Sequence, residues 1–320
     1  MANEKLLERA EGNDNLDKEE IIELLKIENY SEHYYRLLYI ANKLSRMEYK
    51  KNGYIFAQIG LNSEPCSGNC KFCSLGKDYF STEEILAKSE EEILNNIQGF
   101  AGSRIHRLFL MTTTDYDFDK FIFIGKKARK ILPDRIKLVA NIGDFDLKSG
   151  LRLKDAGFSG AYYICRLNEG IDTDIYPEKR IETIEVIKKV GLDLYYCVEP
   201  IGPEHTYEQI SDEIIRARNY DVKYMAVMRR IPVENTPLYE KGMITSAELL
   251  KIAAVTRIAC KPSLSMNAHE TVSGFYLAGI NQIYAEYGAN PRDVSINTEK
   301  SRGMSIQQAE KLLNDAGYTI

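Results

Sequence analysis

Short apolar runs alternate with helical stretches from Tyr54 almost to the end of the chain, and this alternation limits the fold more than any other feature. The strand candidates are 54–61, 105–111, 136–142, 160–165, 192–198, 223–228 and 263–268. Between them lie helical patterns such as 182–191, which a glycine terminates, and 245–258. A further helix is expected to open at Ser81, with Glu84 in the capping-box position. Regular β-α alternation over this length implies a parallel sheet covered by helices. The expected fold is α/β, a complete or partial TIM-type (β/α) barrel, with an open doubly wound sheet as the structural rival.

Before the first strand the apolar residues Ile21, Ile22, Leu24 and Leu25, then Tyr35, Leu37, Leu38, Ile40 and Ala41, recur at helical spacing. Residues 1–50 therefore read as a helical cap, and residues 51–320 as the barrel with a C-terminal loop and a last helix begun by Ser305 and Gln308. No Pro/Gly/Ser-rich linker separates the two, so one domain is expected. With 42 basic against 47 acidic side chains the net charge is −5, which argues against a charge-driven nucleic-acid binder. The longest apolar runs have strand length, well short of the roughly 20 residues that span a bilayer. The acidic N-terminus is unlike a secretory leader, and a cytoplasmic location is expected.

Six cysteines in such a chain point to metal binding or catalysis before disulfides. Three of them, Cys66, Cys70 and Cys73, follow the first strand in a C-x3-C-x2-C arrangement, with Phe72 directly before the last. Three thiolates on one short loop suit an iron-sulfur cluster, whereas a structural zinc site would want a fourth Cys or His nearby. An iron left without a protein ligand is free to bind the amine and carboxylate of a small molecule. Buried or zinc-binding cysteines are the alternative.

The triplet, its aromatic and its place after the first strand resemble the radical S-adenosylmethionine (SAM) superfamily. That resemblance implies a 4Fe-4S cluster, SAM chelated at its open iron, and cleavage of SAM to a 5'-deoxyadenosyl radical. It extends further along the chain. Ile201, Gly202 and Glu204 match the segment that packs against adenine, and Thr112 and Thr113 stand where the family contacts the methionine amine, although its usual Gly-Gly-Glu is absent. Arg166 and Glu169 resemble the polar pair that holds the SAM carboxylate and ribose, with ordinary surface pairing as the alternative.

From about residue 15 to the end, the order of features looks most like biotin synthase and its relatives, which include archaeal-type lipoyl synthases, methylornithine synthase and a hydrogenase-cofactor maturase. In biotin synthase a 2Fe-2S sulfur donor is held by three cysteines and an arginine. Here Phe109 to Met111 and Asn141 stand where two of those cysteines would be, Cys197 matches the third, and His269 takes the arginine position. Cys165, absent from that pattern, ends the adjoining strand candidate. Strand ends in a β/α barrel share one mouth, so Cys165, Cys197 and His269 are expected to form a three-ligand auxiliary iron-sulfur site of 4Fe type. Plain burial of the two cysteines and a hydrogen-bonding histidine is the alternative.

Among the remaining candidates, Cys260 is expected to be structural, on the opposite face of the barrel. Arg229, Arg230 and Asn235 are expected to face the mouth and meet a substrate carboxylate, and Asn290 and Arg292 to approach it from the C-terminal loop. The expected activity is radical sulfur insertion by a sulfurtransferase that converts dethiobiotin to biotin, with Cys197 catalytic alongside the triplet. A lipoyl synthase component, or a rearrangement or cofactor-maturation enzyme that inserts no sulfur, is the alternative. The implied partners are a small-molecule substrate and an electron donor such as flavodoxin or ferredoxin, with no nucleic acid or membrane; a homodimer is compatible with the resemblance.

Overall fold

The computed structural model describes residues 2–80, 87–269, 271–285 and 304–320. Ser81, Glu84, Asn290 and Arg292 lie outside them. Three helices precede the sheet: α1 (Ala2–Glu11), α2 (Lys18–Leu25) and α3 (Glu32–Tyr49). Helix α2 begins in a capping box of Asp17 and Glu20, and buries Ile21, Ile22, Leu24 and Leu25. The packing of α3 against the later helix α9 (Ser246–Cys260) explains why this segment adheres to the barrel. Arg257 of α9 donates to Ser45 Oγ at 2.8 Å and to the Leu44 carbonyl at 3.1 Å.

Among the described residues eight strands then alternate with seven helices. They are β1 (Tyr54–Gly60), α4 (Glu90–Ala101), β2 (Arg107–Met111), α5 (Phe118–Ile131), β3 (Lys137–Asn141), α6 (Leu147–Asp155), β4 (Phe158–Tyr162), α7 (Pro177–Val190), β5 (Asp193–Ile201), α8 (Tyr207–Asn219), β6 (Tyr224–Arg229), α9 (Ser246–Cys260), β7 (Ser265–His269), β8 (Gln282–Ala285) and the last helix α10 (Ile306–Asp315). The first helix described after β1 starts at Ser89 and Glu92, which form a reciprocal cap. Helix α10 opens with the expected Ser305–Gln308 box. All seven strand ladders are parallel, in the order β7-β6-β5-β4-β3-β2-β1-β8. This is the TIM-type barrel, nearly closed, with an eighth strand that the apolar pattern alone does not mark.

Alternation along the strands sends Phe56, Phe109, Val139, Tyr195 and Tyr224 into one inner cluster, while a larger cluster fills the layer between sheet and helices. Arg107 ties the inner cluster together. It donates to the hydroxyls of Tyr195 at 2.8 Å and Tyr224 at 2.7 Å, whose rings stack 4.2 Å apart. The amino end of the barrel is thereby plugged, which leaves the carboxyl ends of the strands to form the site. No described helix is long and apolar enough to cross a membrane.

Candidate active site at the carboxyl ends of the strands

The cysteine triplet lies on the loop that leaves β1, and main-chain bonds fix its shape. The Cys66 N–H donates to the Leu75 carbonyl at 2.7 Å, and the Cys73 N–H to the Cys70 carbonyl at 3.0 Å. Asn69 sits between the first two cysteines at φ 48°, a region that Asn tolerates better than most residues. Its side chain donates to Asp78 at 2.7 Å and Asp174 at 3.0 Å, so the chain after β4 braces the loop. Main-chain bonds from Lys71 to Asp172 and from Asp174 to Gly68, each 2.9 Å, complete that brace.

All three cysteines are free, partly exposed, and line a cavity of about 230 Å3. Thr114, just past β2, donates its main-chain N–H to Cys66 Sγ at 3.4 Å. Close approach here requires glycine at position 143: a Cβ would stand 2.3 Å from the Thr114 carbonyl oxygen. Burial pushes the Cys70 thiol up to about 12, with the Arg166 guanidinium acting against it. Thr112 and Thr113 border the same cavity.

Arg166 enters the cavity from the chain after β4. Burial opposes its charge, but Glu169, Cys70 and Glu199 outweigh that and hold its pKa well above the ordinary value. Glu169 is buried behind the wall rather than in it. It accepts the Arg166 N–H at 2.9 Å and the Thr173 hydroxyl at 2.7 Å, and lies 3.6 Å from Arg180 Nε. Arg180, which the sequence reading does not single out, also faces the cavity.

The segment after Cys197 departs from expectation. Its contribution to the cavity wall is Glu199 and Pro200, whereas Ile201, Gly202 and Glu204 are not on it. A register shift between Val198 and Ile201 carries β5 on to pair Ile201 with Arg229, which leaves Ile201 fully buried. Glu204 grips the Arg230 guanidinium, one bond measuring 2.9 Å. Gly202 makes room for that pair, since a Cβ there would meet Arg230 Nη1 at 2.4 Å. Arg230 therefore reaches the cavity already neutralised. Arg229 turns away toward the Ile244 carbonyl and Ser246, both at 3.3 Å, and Asn235 is also off the cavity wall.

Asp172, Glu204 and His205 form the one described group of Asp, Glu, His or Cys compact enough for a single metal ion. The Gly202 N–H donates to His205 Nδ1 at 2.9 Å, so the ring proton sits on Nε2. With Nδ1 already accepting that bond, neither ring nitrogen offers a free lone pair, which disfavours a metal there.

Cys165, Cys197 and His269 are not brought together. Strand β4 ends at Tyr162, and three residues later Cys165 faces the helix layer, where Glu213 and Arg216 are its electrostatic neighbours. Burial pushes its thiol up to about 12. Cys197 does point into the barrel, beside Tyr162 and Glu199, and burial raises its thiol well above 9. His269 lines the cavity, stacks on Tyr284 at 4.4 Å, and is pushed down to about 4 by burial. Among the described residues its Nε2 has no hydrogen-bond partner. Cys260, as expected, closes α9 far from the site, with its thiol 3.2 Å from the Ile214 carbonyl.

The inner wall also holds Gln58 and Asn141, which the sequence reading does not select, and Tyr162, whose hydroxyl donates to Glu199 at 2.7 Å. The available signal is that Gln58, Asn141 and Glu199 are polar residues on inward positions near strand ends.

No family model matches the chain. Among curated proteins it is 26% identical over 314 residues to the biotin synthase of Clostridioides difficile, covering 94% of each, and 27% identical over 250 residues to that of Acetivibrio thermocellus, covering 75% of this chain and 76% of that one. Among solved structures it superposes on methylornithine synthase with a TM-score of 0.84 at 18% identity, covering 98% of this chain and 96% of that one. For the FeFe-hydrogenase maturase HydG of Carboxydothermus hydrogenoformans the TM-score is 0.81 at 17% identity, covering 99% and 78%. The structural likeness establishes the fold. The chain is thus similar along almost its whole length to the biotin synthase of Clostridioides difficile, and its braced cysteine triplet lies at the mouth of a barrel of the same fold as methylornithine synthase.

Proposed function

We propose that the protein is a radical SAM enzyme that acts on a small molecule inside its barrel without a built-in sulfur-donating cluster. The family implies a 4Fe-4S cluster and SAM, and Cys66, Cys70 and Cys73 are the residues to hold that cluster. Their donor set fits: three thiols on one braced loop, one already accepting a main-chain N–H. A cluster bound there would supply the one-electron chemistry that cleaves SAM and activates an otherwise unreactive C–H. Arg166, kept charged by Glu169, receives the SAM carboxylate, and Thr112 and Thr113 contact its amine. Glu199 and Pro200, on the same cavity wall, would lie beside the nucleoside. The plugged floor keeps water from the radical.

The observation that carries the absence of a sulfur donor is the placement of Cys165 in the helix layer. Outside the triplet, Cys197 is then the only one of the six cysteines on the inner face, and one thiol with one imidazole makes an incomplete cluster ligand set. This favours the rearrangement or maturation class of reaction. Sulfur insertion into dethiobiotin is the second reading, favoured by the curated relatives and by the inward Cys197 and His269. An external one-electron donor of flavodoxin or ferredoxin type serves either.

The test is anaerobic reconstitution followed by incubation with SAM, reductant and dethiobiotin. The expected result is 5'-deoxyadenosine, about four irons per chain and no biotin. About eight irons together with biotin would establish the second reading. Absence of deoxyadenosine under all conditions would overturn both.

A further inference from the structure

One side chain ties the cysteine loop to the segment that carries Arg166. Asn69, between Cys66 and Cys70, is only 4% exposed. Its Nδ2 donates to Asp78 Oδ2 at 2.7 Å and to Asp174 Oδ2 at 3.0 Å, while its Oδ1 accepts the Asp78 N–H at 3.1 Å. Its main chain is engaged as well: the N–H donates to the Cys66 carbonyl at 3.1 Å, and the carbonyl accepts the Tyr79 hydroxyl at 3.2 Å. On either side of Asn69, the main-chain bonds from Asp174 to Gly68 and from Lys71 to Asp172 run to the same segment. That segment, 166–174, is bonded within itself. The Asp172 N–H donates to the Asn168 carbonyl at 2.9 Å, and the Arg166 N–H to Glu169 at 2.9 Å. Cys66, Cys70 and Arg166 are on the cavity wall, and Asn69 is not. It therefore acts on the cavity only through what it holds.

We propose that Asn69 is a positioning residue that couples the cysteine triplet to Arg166. By holding Asp78 and Asp174 to one amide, it makes the cysteine loop and the arginine-bearing segment move as a unit, so that cluster loading and SAM binding depend on each other through protein contacts. Asparagine suits this place for two reasons. Its amide offers two N–H donors and an acceptor on a short stem, and its backbone tolerates the φ of 48° found here. Aspartate tolerates the same φ but only accepts, and it would stand beside two like charges. The exchange of Asn69 for aspartate therefore changes the bonds and not the backbone. This coupling rests on the radical SAM reading for the identity of the ligand at Arg166.

The experiment compares wild type, Asn69→Asp, and Asn69→Asp combined with Asp174→Asn, each as the full-length protein reconstituted anaerobically. Iron per chain, SAM Kd per loaded cluster, hydrogen exchange of the peptide spanning 166–174 and 5'-deoxyadenosine are measured on the same samples. Asn69→Asp should lower iron loading, raise the SAM Kd on the order of 10-fold and speed exchange in the peptide by a similar factor. Adding Asp174→Asn returns a donor to the pair and should move Kd and exchange back toward wild type. Asn69→Gly is the second variant, needed if the aspartate form does not fold. Glycine keeps the positive φ without the side-chain bonds and should shift Kd and exchange in the same direction. Unchanged Kd and peptide exchange in these variants would overturn the proposal. So would a loss confined to iron content with Kd per cluster intact, which would mean that the amide serves the cysteine loop alone, and so would failure of Asp174→Asn to recover either quantity. Wild type that loads iron but neither binds nor cleaves SAM would refute the radical SAM reading separately, leaving iron loading and exchange to decide the coupling.

Discussion

The main-chain N–H of Thr114 donates to the sulfur of Cys66 at 3.4 Å, joining the loop after β2 to the loop that leaves β1. Hydrogen bonds to cluster sulfurs raise reduction potential. Thr114→Pro deletes this donor, so the variant should keep its iron while its cluster becomes harder to reduce. Redox titration followed by electron paramagnetic resonance would measure the shift, and an unchanged potential would refute the role given to this contact.

The six cysteines should separate by position. Cys70→Ala should lose cluster absorbance and deoxyadenosine formation altogether. Cys165→Ala and Cys260→Ala should retain both, at a stability cost on the order of 1 kcal/mol each from lost packing. Iron analysis with urea unfolding of the three variants checks this, and a loss of iron in Cys165→Ala would restore that residue as a cluster ligand.

Loading of the triplet should depend on pH. Thiols bind iron as thiolates, so loading releases protons, and burial holds Cys70 up near 12. Reconstituted iron per chain should therefore fall as the reconstitution pH is lowered from about 8 to about 6. Flat loading across that range would show that the thiols are already ionised.

Three histidines, His106, His205 and His269, have folded pKa values below the ordinary 6.5, chiefly because burial disfavours their charged form. Below 6.5 the unfolded chain binds protons that the folded chain refuses, so stability rises with pH. It is fully present above 6.5 and declines as pH falls toward the folded values, about 4 for His269. Urea midpoints should drop between pH 7 and pH 5, and His269→Phe should flatten the lower part of the curve. A midpoint that rises on acidification would contradict the burial of these rings.

Arg107→Leu should destabilise the barrel by about 2–4 kcal/mol, since it leaves the hydroxyls of Tyr195 and Tyr224 buried without a partner. Chemical denaturation gives the value directly. A change within about 0.5 kcal/mol would mean that the plug contributes little.

The parallel barrel and the cysteine triplet were legible from the chain alone because both are local patterns. Strands β1 to β7 show as apolar runs between helices, and C-x3-C-x2-C falls within one loop whose three sulfurs cannot separate far. Strand β8, Gln282–Ala285, is too short to stand out in sequence and exists because it pairs with β1 across the barrel. Whether a side chain faces the mouth or the helices is also beyond a local pattern once the regular strand stops. Alternation holds along β5 and turns Cys197 inward, but β4 ends at Tyr162, and the irregular chain beyond it turns Cys165 outward. The same limit applies to Ile201 and Glu204, which a register shift in β5 moves off the cavity wall. The bond between Asn69 and Asp174 is likewise a tertiary fact. The two residues stand 105 positions apart, and only the packed barrel, by laying the chain after β4 over the loop that leaves β1, brings the carboxylate to the amide.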